Sequence, residues 1–273
     1  MPLVFACIAP HGGHLLIAPP ETSPVPKSRA AMETMRAALA ASKPDCLAIL
    51  TPHGIYAEGL ITLGISPTAY GELDDLTIDA PIDIDLASSW AYYADDRGIP
   101  IAPIAAPEKA PFPLDWGVTI PLTLLDPAYS SPDRGPRGCS MPIVVACPAR
   151  DLPRKNLVDL GAALVDAAEE QGRRVALIVS ADQGHGHAAD GPYGFTPSSA
   201  LYDKAMVDAV SADDLDRLLG WDSQWIEAGL PDSYWQTLSL IGARRNVSLK
   251  STFLSYEVDH YFGLLCAMYE LTG

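Results

Sequence analysis

Six histidines are present, and His11, His14, His53, His185 and His187 each follow closely on an uninterrupted apolar run; His260 stands apart. The runs are Leu3 to Ala9, Cys46 to Leu50 and Val175 to Val179, and the residues after them are Pro10-His11-Gly12-Gly13-His14, Thr51-Pro52-His53-Gly54 and Ser180-Ala181-Asp182-Gln183-Gly184-His185-Gly186-His187. Imidazole titrates near neutral pH and is the commonest metal ligand, so histidines delivered to one place suit proton transfer or metal binding. Histidines scattered for packing are not expected to sort in this way.

The elements that must position them read as strands. A run apolar at every position is a strand buried on both faces, since a strand with one wet face alternates apolar and polar residues. The first run is followed by a proline-rich stretch, Pro19 to Pro26, then by an Ala/Met/Leu-rich helix from about Ser28 to Ala41 and the second run. A strand, helix and strand in that order make parallel strands that end on one edge of the sheet, which brings His11 and His53 together. Further strands are expected at Gly59 to Ile65, Ile101 to Ala105, Pro142 to Ala146 and Ser251 to Tyr256, and an extended excursion at Leu73 to Asp85. Helices are expected at Ala87 to Asp96, Val118 to Leu125 with Asp115 as its cap, Leu157 to Gln171, Ser198 to Val210, Asp213 to Leu219, Tyr234 to Ala243, and from Gly263 to Leu271. Pro127 to Gly138 reads as a surface loop.

Composition narrows the function. With 18 Lys+Arg against 34 Asp+Glu the net charge is −16, which repels a phosphate backbone, and a nucleic-acid partner is not expected. No signal peptide and no apolar run of bilayer-spanning length is seen, so the expectation is a cytoplasmic protein without a membrane partner. The five cysteines, Cys7, Cys46, Cys139, Cys147 and Cys266, are odd in number and widely spaced, and read as free thiols used mainly as small core residues.

Two imidazoles and a carboxylate near strand ends are the ingredients of the site that holds a ferrous ion with one face open. Ala9-Pro10-His11-Gly12-Gly13-His14, Thr51-Pro52-His53-Gly54, Leu114-Asp115-Trp116-Gly117 with Pro121-Leu122, the segment from Ser180 to His187, and Ser255-Tyr256-Glu257, in that order, resemble the class III extradiol ring-cleavage dioxygenases, the protocatechuate 4,5-dioxygenase catalytic subunits and DOPA dioxygenases. The resemblance implies that His11, His53 and Glu257 bind Fe(II) and that His185 is the acid/base residue. It leaves His14, Trp116, Asp182, His187 and His260 as substrate contacts or supports of the ligands. Trp116 stands where several relatives have a histidine, and His260 is the alternative third ligand, since some relatives use a third histidine with zinc.

The expected fold is α/β, one domain over residues 1–273 with a mostly parallel or mixed central sheet flanked by helices, because ligands at 11, 53 and 257 meet only if both ends of the chain return to one site. The expected partners are a small aromatic substrate and O2, in a homo- or hetero-oligomer. The alternatives of other classes are a zinc hydrolase in the same pocket and a metal-binding, non-catalytic partner subunit.

Overall fold

Every residue of Leu3–Ala9 (β1), Cys46–Leu50 (β2) and Val175–Ser180 (β9) is buried, as their unbroken apolar sequences require. The computed structural model describes residues 1–13, 16, 18–19, 21–74, 76–126 and 141–272. His14, Cys139 and the loop expected at 127–138 lie outside the described residues.

Between β1 and β2 runs α1 (Pro26–Ser42), and after β2 come β3 (Ile61–Gly64), β4 (Thr68–Leu73), β5 (Leu76–Pro81), α2 (Ile84–Asp96), β6 (Ile101–Ile104), β7 (Phe112–Pro113) and α3 (Trp116–Leu125). The remainder is β8 (Ile143–Pro148), α4 (Arg154–Glu170), β9, α5 (Pro197–Ser211), a 3-10 turn at Leu215–Gly220, α6 (Ser223–Ala228), α7 (Tyr234–Arg244), β10 (Leu249–Asp259) and β11 (Phe262–Leu271). Eight strands form one mixed sheet in the order β10-β11-β1-β9-β2-β8-β3-β6, and β5-β4-β7 make a small second sheet, to which the excursion expected at Leu73 to Asp85 contributes β5. The α/β class with a mixed central sheet is as expected.

Alternation along the buried strands splits the core into two layers. From β9, Val175, Leu177 and Val179 join Trp90, Leu160, Tyr202 and Leu238 on one face, while Ala176 and Ile178 join Met32, Met35 and Val118 on the other. Helices α2, α4, α5 and α7 therefore cover one side and α1, α3 and the small sheet cover the other. Cys7, Cys46, Cys147 and Cys266 are buried free thiols, and burial pushes each thiol pKa up, which suits packing and not nucleophilic chemistry.

Two expectations fail. The segment ending at Leu271 is a strand, not a helix: Phe262, Leu264, Cys266 and Met268 face one core layer and Leu265, Ala267 and Tyr269 the other, because β11 lies inside the sheet between β10 and β1. Asp115 does occupy the residue before α3, but its carboxylate accepts from Thr51 Oγ1 at 2.8 Å and makes no cap bond to the helix.

Strands β1, β9 and β2 are adjacent and mutually parallel, so their C-terminal ends share one edge of the sheet. Helix α7 reaches the same edge. It crosses α4 at a glycine pair where a Cβ on Gly161 would meet the carbonyl oxygen of Ser239 at 1.7 Å and one on Gly242 that of Val158 at 1.8 Å. Only glycine lets these backbones approach so closely. Among the described residues, no helix is long and apolar enough to cross a membrane.

Candidate metal centre

Nε2 of His11 and Nε2 of His53 stand 3.0 Å apart, and Oδ2 of Asp232 lies 3.2 Å from the first and 3.1 Å from the second. The expectation that parallel strands unite His11 and His53 is thus met in the geometry. The carboxylate beside them is a residue that the strand-end reading overlooked.

Each donor is held from behind. His11 donates its backbone N–H to Asp182 Oδ1 at 2.9 Å, and its Nδ1 is 2.9 Å from Ser180 Oγ. The single hydroxyl proton of Ser180 goes to the carbonyl of Gly117 at 2.5 Å, so Ser180 Oγ accepts from Nδ1–H, and when His11 is neutral its lone pair is left on Nε2, facing His53 and Asp232. His53 donates its amide to Thr51 Oγ1, which the Asp115 carboxylate fixes in turn. Trp116 stacks on the His53 ring. Asp232 accepts the amide of Asp182 on Oδ1 at 2.9 Å, while Gln236, one turn on, ties α7 to the carbonyls of Asp232 and Ser180.

His185 completes the cluster without sharing its centre. Its Nδ1 lies 3.0 Å from the carbonyl of Leu230, which can only accept, so Nδ1 carries the proton and the Nε2 lone pair is free. That nitrogen is 3.8 Å from Asp232 Oδ2. Asp182 also joins the cluster, with Oδ2 3.7 Å from His11 Nε2. Burial pulls the His11 pKa down, but the carboxylates of Asp182 and Asp232 outweigh it and raise it from 6.5 to about 9. Burial raises Asp182, while for Asp232 the proximity of His11 overcomes burial and holds the carboxyl below the usual range.

Glu257, carried over as the third ligand, is elsewhere. It accepts the backbone N–H of Ser28 at 2.6 Å and so satisfies the first turn of α1, whose residue before the helix, Val25, has no side chain able to cap it. His260, its alternative, is at the surface, 3.0 Å from Asp190. His187 lies against the buried carboxylate of Asp203, which also takes the amide of Gly184 and the hydroxyl of Tyr256. His187 therefore supports the loop that carries His185 and does not enter the cluster.

The donor set fits a metal. Two imidazole nitrogens and a carboxylate oxygen converge, and the neighbouring carboxylate of Asp182 adds to the negative charge that favours a cation. The three donor atoms stand 3.0, 3.1 and 3.2 Å apart, close enough to share one ion.

Two cavities open on this cluster. One, of about 290 Å³, is lined by Leu73, Trp116, Ile120, Tyr193, Tyr261 and Phe262 besides the histidines; the other, of about 210 Å³, shares His53, His185 and Tyr193 with it and adds Arg150, Glu227 and Trp235.

Among solved structures, the crystal structure of an uncharacterized protein, JW3007, from Escherichia coli K12 superposes with a TM-score of 0.66 at 14% identity, covering 97% of this chain and 99% of that one. It shares the fold. Among curated proteins, Protein CA_C1420 of Clostridium acetobutylicum is 22% identical over 246 residues, or 87% of this chain, and the chain spans 50% of that relative's length. The family model described as the catalytic LigB subunit of aromatic ring-opening dioxygenase matches residues 6–262, and the chain belongs to that family.

Proposed function

We propose that the protein is a non-haem Fe(II)-dependent extradiol dioxygenase that opens a catechol-like or 2-aminophenol-like ring with O2, and that His11, His53 and Asp232 hold the metal. One observation carries the reading: two imidazoles and one carboxylate converge within reach of a single ion, with the Nε2 of His185 beside them. Fe(II) supplies an electron path between ring and oxygen, which Zn²⁺, with no redox change, does not.

The protein residues do the rest. Trp116, Tyr193, Tyr261 and Phe262 give the ring an aromatic wall, and Leu73 and Ile120 add apolar surface opposite the polar cluster of His11, His53, Asp182 and His185. His185 takes a proton from a ring hydroxyl on Nε2 and later returns it; Leu230 fixes the tautomer that makes this possible. Both oxygen atoms end in the ring-opened product, so no other reductant is needed.

The test is reconstitution with Fe(II) under anaerobic conditions, followed by oxygen and a panel of catechols, carboxylated catechols and 2-aminophenols. One O2 consumed per ring and the visible absorbance of a conjugated product are expected, with zinc unable to substitute. A zinc form that hydrolyses esters or amides beside an iron form that consumes no oxygen would replace this reading with the hydrolase.

A further inference from the structure

The cavity beside the aromatic one holds a charge that the chemistry above does not use. Arg150, an exposed residue two positions past the end of β8, lines it, and the guanidinium carbon sits 4.6 Å from the centre of the Trp235 ring. Among the described residues no carboxylate lies within ion-pair distance of Arg150, although the chain has nearly twice as many acids as bases and the other short pairs of its arginines are made with such acids. A guanidinium held over an indole ring by the ring's negative face keeps the N–H donors of its fork available to a further partner. Such a fork matches a carboxylate with two parallel hydrogen bonds.

The two cavities meet at His53, His185 and Tyr193, so a molecule whose ring lies against the aromatic wall has an outlet for a side arm toward Arg150. From this geometry we propose that Arg150 is the specificity-determining residue, reading a carboxylate on an arm of the ring. Glu227 lines the same cavity and is also free of ion pairs among the described residues. Its charge opposes an acidic arm and sets the strength of the preference. The inference rests on the ring-binding reading of the site but not on the reaction that follows.

Binding separates the two. Anaerobic calorimetry on Fe(II)-loaded protein with a dihydroxybenzene bearing a short carboxylic-acid arm, and with its uncharged primary amide, should show about tenfold tighter binding of the acid, the worth of one charge-assisted fork. Arg150→Met should abolish the difference by weakening the acid and not the amide, Arg150→Lys should keep part of it, and Glu227→Gln should tighten the acid alone. Equal affinities in the unaltered protein, a loss in Arg150→Met shared by both rings, or no binding of either would overturn the proposal. An acid preference that vanishes in Arg150→Met, in a protein that consumes no oxygen with any ring, would keep the subsite and remove the dioxygenase.

Discussion

The indole of Trp116 lies against the imidazole of His53, with ring centroids 4.3 Å apart and 29° between the planes. Trp116 is 48% exposed, so it is not core; it walls the His53 ring on its outer side. An aromatic pair of this kind is worth about 0.5–1.5 kcal/mol. Trp116→Ala should therefore weaken Fe(II) binding by up to about tenfold while leaving the melting temperature of the metal-free protein nearly unchanged. Unaltered Fe(II) affinity, measured with a competing chelator, would mean that the stack does not hold His53.

The proposed site takes Asp232 in the place that the sequence resemblance gives to Glu257. Asp232→Asn should strip the metal, by more than the roughly 10–100-fold that follows loss of an outer partner. Glu257→Ala should keep it and lower the melting temperature instead, by about 2–4 °C for the ~1 kcal/mol that an N-terminal cap contributes. Metal analysis beside calorimetric melting decides it: depletion in Glu257→Ala with full occupancy in Asp232→Asn would return the ligand to Glu257.

His185 should act on protons and not on the metal. With Nδ1 committed to Leu230 and Nε2 3.8 Å from Asp232, His185→Ala is expected to retain the metal and lose on the order of 10²–10⁴-fold in turnover. A matching fall in metal content would make His185 a ligand.

His11 makes metal uptake pH-dependent. Its pKa is raised in the folded, metal-free protein, so its proton contributes stability that is fully present below pH 6.5 and lost as the pH rises through about 9. A metal must displace that proton. Fe(II) affinity should therefore climb between those limits, and titrations in buffers of different ionisation enthalpy at pH 7 should report proton release. Affinity flat across the window, together with unfolding free energy of the metal-free protein flat across it, would contradict the raised pKa.

How far the sequence carries can be judged residue by residue. Strands β1, β2 and β9 are legible because burial on both faces demands unbroken apolar runs, and because Gly, Pro and His cut each run off sharply. The same logic, used to its end, would have found β11, but four of the five residues of Leu264-Leu265-Cys266-Ala267-Met268 are good helix formers, and central burial overrides propensity there. Asp232 is illegible for a different reason. It follows Pro231 and precedes Ser233 at the head of α7, where an acidic residue reads as an ordinary helix-start signal, and nothing local reveals that glycine-mediated packing of α7 on α4 points it at two histidines. Glu257 misled because it too sits near the end of a strand, β10, which is separated from β1 by β11.

The place of β11 also fixes an order of events during synthesis. Within this sheet β1 leaves the ribosome before the other strands, and one of its two ladder edges belongs to β11, which follows them all. Until residues near Ala267 emerge, β1 has β9 on one side and an open hydrogen-bonding edge on the other, the kind of edge that recruits strands from neighbouring chains. The sheet therefore closes only after translation of its final hairpin, and a nascent chain stalled before Phe262 carries an adhesive seam directly beside the strand that delivers His11.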